Sequence, residues 1–258
     1  MDRSKTTYPN PTIVFVPGAF HTSVHFEPIS AVLNQASFPT TTVELPTTAR
    51  ATTASYRDDV FAVRSVLERL VEEDGKEVML ALHSYGGVPG CQTVSGLERS
   101  KRKAEGKPGG IVHVLFIAAL LVEQGHAMAA ALEGGKAPPW AVFKDGLLYP
   151  VNTSPVFYSD LSPKEAEHWN SLLVPKSASK TSVDVAEVCY DLDVPTTYLL
   201  CTNDPMLGML EGMVAKVKRP RWSVERIGGG HSPFLGRKKE LAEIVEKCLG
   251  LTEANETW

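Results

Sequence analysis

The chain has 258 residues, 43% of them hydrophobic and 22% charged, enough for one sizeable core with no room for a second full domain. Its 26 basic and 30 acidic residues give a formal charge of −4, which excludes general affinity for nucleic acid or anionic lipid. Cys91, Cys189, Cys201 and Cys248 are widely spaced with no C-x-x-C pair; this disfavours a disulfide framework and a zinc site, and neither metal nor cofactor is expected.

Met1 to Lys5 leads into polar residues and no apolar run approaches the ~18 residues of a membrane span, so a cytoplasmic protein with no membrane partner is expected. Thr12-Ile13-Val14-Phe15-Val16 is a β-branched run of buried-strand type that ends in the loop Pro17-Gly18-Ala19-Phe20-His21. His21 and His25 stand four apart, a spacing that suits a metal on a helix, yet His21 falls in the loop and no acidic third ligand follows. Residues 55–72 read as an amphipathic helix, with Val60, Val63, Val66, Leu67 and Leu70 at helical spacing and Ser55 with Asp58 as a capping box.

Strands are predicted at 77–82 and 111–118. Between them, Leu82-His83-Ser84-Tyr85-Gly86-Gly87 reads as a serine raised on a strand-to-helix turn. Such a turn strains the serine backbone so that the hydroxyl points into a cleft, and Gly86 and Gly87 give the next helix room to approach. His83 is expected to point away from that cleft. The run Arg99-Ser100-Lys101-Arg102-Lys103 reads as the solvated C-terminal end of the helix that follows the turn.

After Ala119 the strand rhythm lapses until Val194. The stretch 120–193 is therefore read as an inserted cap, leaving 1–119 and 194–258 as the core. Ser162-Pro163-Lys164-Glu165 opens a cap helix running to about residue 173. The cap aromatics Trp140, Phe143, Phe157, Tyr158 and Trp169 either grip an apolar ligand or pack the cap onto the body. Pro195 to Cys201 is strand-like and ends at Asp204-Pro205, where the acid either orients a histidine or caps a helix. Trp222 to Ile227 is a further strand, followed by Gly228-Gly229-Gly230-His231. An unperturbed imidazole pKa of ~6.5 suits His231 to accept and return a proton near neutrality. These glycines do not form a dinucleotide fingerprint. Alternating strands and helices make the fold class α/β, with a mostly parallel sheet and helices on both faces.

Four segments carry a family resemblance: Val16 to His21, His83-Ser84-Tyr85-Gly86-Gly87, Val194 to Asp204, and Gly230-His231. They are similar, in this order, to the V-H-G-A-x-H loop, the H-S-L-G-G elbow, the V-P-x-x-Y-x-x-C-T-E-D segment and the glycine-histidine loop of α/β-hydrolases. The branch they resemble is that of small plant methylesterases and hydroxynitrile lyases. The H-S-Y-G-G form also resembles fungal α/β-hydrolases, some with secondary-metabolite roles. The resemblance implies an α/β-hydrolase fold with a small helical cap before the acid-bearing strand. It also implies Ser84, Asp204 and His231 as a catalytic triad and the Ala19 and Tyr85 N–H groups as an oxyanion hole.

Phe20, His21, Trp140, Phe157, Tyr158, Trp169 and Ser232 are the substrate-binding candidates. Pro17 replaces the branch's histidine and Leu82 the elbow's glycine, so Leu82 is expected to press on the helix behind the turn. Ser232 stands where hydroxynitrile lyases carry lysine, and Gly18 where they carry threonine; both favour ester hydrolysis. The expected function is hydrolysis of a small, largely apolar ester, thioester or lactone through an acyl-enzyme, by a monomer or homodimer. A lyase, isomerase or cyclase acting on a polyketide-like carbonyl, and a ligand receptor on the same fold, are the alternatives.

Overall fold

The computed structural model describes residues 10–48, 53–125, 138–178, 185 and 188–251. In chain order the core opens with β1 (Thr12–Val16), α1 (Glu27–Gln35), β2 (Thr40–Thr42), α2 (Tyr56–Glu68), β3 (Glu77–His83), α3 (Gly87–Gly90), α4 (Arg99–Ala104) and β4 (Gly110–Ile117). A segment carrying β5 (Ala141–Lys144), β6 (Leu147–Pro150), α5 (Ser154–Phe157), α6 (Pro163–Ser171) and β7 (Lys176–Ser177) follows. The core then resumes with β8 (Thr196–Cys201), α7 (Leu207–Val214), β9 (Trp222–Ile227), α8 (Pro233–Gly236) and α9 (Lys238–Cys248).

Six strands form one sheet in the order β2-β1-β3-β4-β8-β9, with every neighbouring pair parallel. β1 and β8 are buried along their whole length, as sheets covered by helices on both faces require, and β9 at the edge is largely exposed. This is the α/β architecture expected from the alternation of elements. The register aligns the strand ends: His83 lies opposite Ile117, Ile117 opposite Leu199, and Cys201 opposite Ile227. The residues that follow β3, β8 and β9 therefore emerge at one edge, where open parallel sheets gather their ligands.

α2 begins at the predicted cap, where the Ser55 N–H donates to Asp58 Oδ2 at 2.6 Å. Its last turn widens into a π-helical stretch at Arg69–Glu73 that buries Leu70 and Val71. The helix behind the serine turn is shorter than expected. It stops at Gly90, and the basic run forms a separate helix, α4. Arg102 is not solvated, because its guanidinium is buried and donates to the Pro108 and Val71 carbonyls and to Glu72.

The inserted segment contains helix α6, capped by Ser162 through the Glu165 N–H as expected, and adds an antiparallel sheet β5-β6-β7. β7 has only two residues, too few to show a period of two in the sequence. Among the described residues no helix is long and apolar enough to cross a membrane.

Candidate active site

Ser84 follows β3 with φ 50°, the left-handed region a serine normally avoids. Close packing on both sides holds it there. A Cβ at Gly86 would lie 2.4 Å from the Val16 carbonyl oxygen, and one at Gly87 2.5 Å from that of Leu120. Only glycine lets the turn sit so close to the end of β1 and to the segment after β4. The Leu120 N–H donates to the Ser84 carbonyl at 2.9 Å, closing the second contact. Leu82 is accommodated by Gly90, since a Cβ there would fall 2.2 Å from Leu82 Cδ2. The missing glycine of the elbow is thus matched by a glycine one helical step behind it.

Ser84, His231 and Asp204 form one chain of hydrogen bonds. His231 Nδ1 lies 2.7 Å from Asp204 Oδ2, and His231 Nε2 lies 3.0 Å from Ser84 Oγ. Because a carboxylate accepts only, Nδ1 carries the proton and Nε2 accepts from the serine hydroxyl. Asp204 holds the imidazole through Oδ2 and is not the cap of α7: that helix is N-capped by Met206, and Asp204 Oδ1 accepts the Met206 N–H at 2.8 Å in the turn before it. His231 and Asp204 are buried and Ser84 is half-buried, so water is kept from the proton path while the hydroxyl stays reachable.

His83, expected to point away from the serine, packs against the His231 backbone. Its Nε2–H donates to the His231 carbonyl at 3.0 Å, and its ring lies 5.0 Å from that of His231. Burial holds its pKa well below 6.5, and the neighbouring His231 adds to this, so it stays neutral. Its partner lies 148 residues away and no local pattern marks the pairing.

The loop after β1 packs directly on the serine. A Cβ at Gly18 would lie 2.8 Å from both Ser84 Cβ and His83 Nδ1. The loop turns sharply through Phe20, at φ 69°, with the His21 N–H donating to the Gly18 carbonyl. His21 Nδ1–H donates to the Ala19 carbonyl at 2.9 Å, which leaves Nε2 to accept from the Tyr158 hydroxyl at 3.2 Å. Burial, reinforced by His25 and His83, keeps His21 neutral as well. This loop thereby sets Gly18 against Ser84, with Ala19 following Gly18 and Tyr85 following Ser84 in the chain.

Phe20, Phe157 and Trp140 form an aromatic group at the site. Phe157 stacks on His231 at 5.7 Å, and Trp140 meets Phe157 at 5.0 Å and Phe20 at 6.1 Å, both edge to face. Two candidates make no ring contact with this group. Trp169 packs on His25 and His168, and Ser232 Oγ is enclosed without a hydrogen-bond partner. His25 and His21 each spend both ring nitrogens on protein partners. Among the described residues no three His, Cys, Asp or Glu side chains converge as a metal site would need.

The chain is 26% identical over 246 residues to the alpha/beta hydrolase nvfD of Aspergillus novofumigatus, covering 93% of this chain and 97% of the other. The fold is similar to that of tomato methylketone synthase I complexed with 2-tridecanone, with a TM-score of 0.75, 14% identity, and 95% and 100% of the two chains covered. It is also similar to polyneuridine aldehyde esterase, with a TM-score of 0.70, 16% identity, and 95% and 100% covered. The sequence pattern of the alpha/beta hydrolase family matches residues 13–244, nearly the whole chain, and the protein belongs to that family as an enzyme of the hydrolase type.

Proposed function

We propose that the protein is a serine esterase acting on a small, largely apolar ester, thioester or lactone. One observation carries this reading: Ser84 is held at φ 50° with Oγ 3.0 Å from an imidazole whose other nitrogen is 2.7 Å from a buried carboxylate. In this reading His231 takes the serine proton as Oγ attacks the carbonyl carbon. The Ala19 and Tyr85 N–H groups receive the charge that develops on the oxygen, and His231 returns the proton to the leaving alcohol or thiol. Water deprotonated by His231 then attacks the acyl-enzyme and releases the acid. Phe20, Phe157 and Trp140, grouped around His231, support an apolar or aromatic substrate.

The test is mass spectrometry after exposure to an alkyl fluorophosphonate, which reacts with activated serines. A single adduct on Ser84 that vanishes in His231→Ala is the expected result, and a folded wild type that stays unlabelled would sink the proposal. Product mass then separates ester hydrolysis, which adds one water, from rearrangement at carbon, which adds none.

A further inference from the structure

A buried cluster of polar groups lies on the side of the turn where the Tyr85 side chain points, and the proposed chemistry does not use it. The Tyr85 hydroxyl donates to Asp59 Oδ2 at 2.7 Å. Asp59, wholly buried on α2, also accepts the Thr47 N–H at 2.9 Å and the Thr47 hydroxyl at 2.6 Å. Lys176, buried on β7 of the inserted segment, places its ammonium 3.8 Å from the centre of the Tyr85 ring and 3.6 Å from Asp59, and donates to the Thr47 hydroxyl. Tyr85 is thus held at its ring face by a cation and at its hydroxyl by an anion.

Burying a lysine and an aspartate costs several kcal/mol per ion in lost hydration, and an apolar pair of equal volume often serves stability as well or better. The cost here is visible in Lys176, whose pKa burial lowers to about 8 even with Asp59 beside it. What the charged pair adds over apolar packing is direction. A cation over the ring and a carboxylate at the hydroxyl leave the tyrosine one orientation, and with it the peptide N–H one residue after Ser84.

The lysine also belongs to the sheet that adjoins one of the site aromatics, Trp140: it pairs with Leu148 on β6, β6 pairs with β5, and Trp140 immediately precedes β5. We infer that Lys176 and Asp59 are positioning residues that hold the Tyr85 N–H in place for the oxyanion, and that Lys176 makes this alignment depend on the docking of the inserted sheet. The inference rests on the serine-esterase reading of Ser84 and Tyr85.

An interaction made only with the developing oxyanion changes the rate of attack and leaves the prior binding step unchanged. Labelling of Ser84 by a fluorophosphonate, resolved into KI and kinact, separates the two. The variants are Lys176→Met, Lys176→Arg, and the double variant Lys176→Met with Asp59→Asn, which leaves no unpaired buried charge and so protects folding. Thermal unfolding reports the folded fraction of each.

The double variant is expected to fold and to lose about tenfold or more in kinact while KI stays within about threefold. Lys176→Arg, which keeps a cation over the ring, is expected to restore kinact to within about threefold of wild type. A folded double variant with wild-type kinact overturns the positioning role. A wild type that is never labelled at Ser84 overturns the esterase reading, and this inference with it, and the two failures are distinguishable.

Discussion

At the scale of single residues, Ser84 is held in a backbone conformation that costs a non-glycine residue of order 1–3 kcal/mol. The strain is sustained because Gly86 and Gly87 let the turn pack against the Val16 and Leu120 carbonyls more closely than any side chain would allow. Replacing Ser84 by glycine should therefore raise unfolding stability by roughly 1 kcal/mol in a urea titration while abolishing esterase turnover, because glycine adopts φ 50° without the Cβ clash. A loss of stability would show that the serine backbone is not strained. Asp204→Asn should keep the fold and lower kcat by a factor on the order of 10⁴, since an amide can donate to His231 Nδ1 and stabilise the wrong tautomer. The check is steady-state kinetics on any ester the wild type turns over, and an effect below tenfold would remove Asp204 from its proposed role.

Among elements, the contact of β3 with α3 has the most specific consequence. Leu82 occupies the position where the resembled elbow carries glycine, and its Cδ2 fills the space that a Cβ on Gly90 would need, at 2.2 Å. Gly90→Ala should destabilise the protein by about 1–3 kcal/mol through overpacking. The same substitution in a Leu82→Ala background should cost far less, giving a coupling energy above about 1 kcal/mol in a double-mutant cycle of denaturant unfolding. Additive effects would mean that α3 shifts freely against β3. The contact of Leu82 with the helix behind the turn was legible in the sequence, but Gly90 as the residue that makes room for it was not, because the two meet only once the turn has folded the helix back on its strand. Five of the six core strands were legible as runs bounded by turn residues; β2 (Thr40–Thr42) was not, because three residues are too few to show a pattern. The small sheet was not, since its third strand is a two-residue segment.

For the whole molecule, the consequence to test is the response to acid. His21 and His83 are buried and neutral, with pKa values held well below the ordinary 6.5 that they regain on unfolding. Below pH 6.5 the unfolded chain takes up protons that the native state refuses, so the stability these two groups contribute is complete above 6.5 and lost as the pH falls through their native values. The thermal midpoint should drop between pH 7 and pH 5, and the His83→Phe variant should show a shallower drop; identical slopes would mean that His83 is charged in the native state. The sequence by itself determined five of the six core strands and where the chemistry-bearing residues stand along the chain. Ser84 and Asp204 each follow a short apolar run, and His231 follows a mixed, largely exposed strand and a glycine loop, local patterns set by backbone propensity and turn residues. The family resemblance implied that these three meet; only the tertiary structure decided that His83 props the His231 backbone, that Gly90 makes room for Leu82, and that Lys176 and Asp59 enclose Tyr85. Those contacts depend on strand order, on the turn after β3 and on how the segment between β4 and β8 packs, none of which a periodicity encodes.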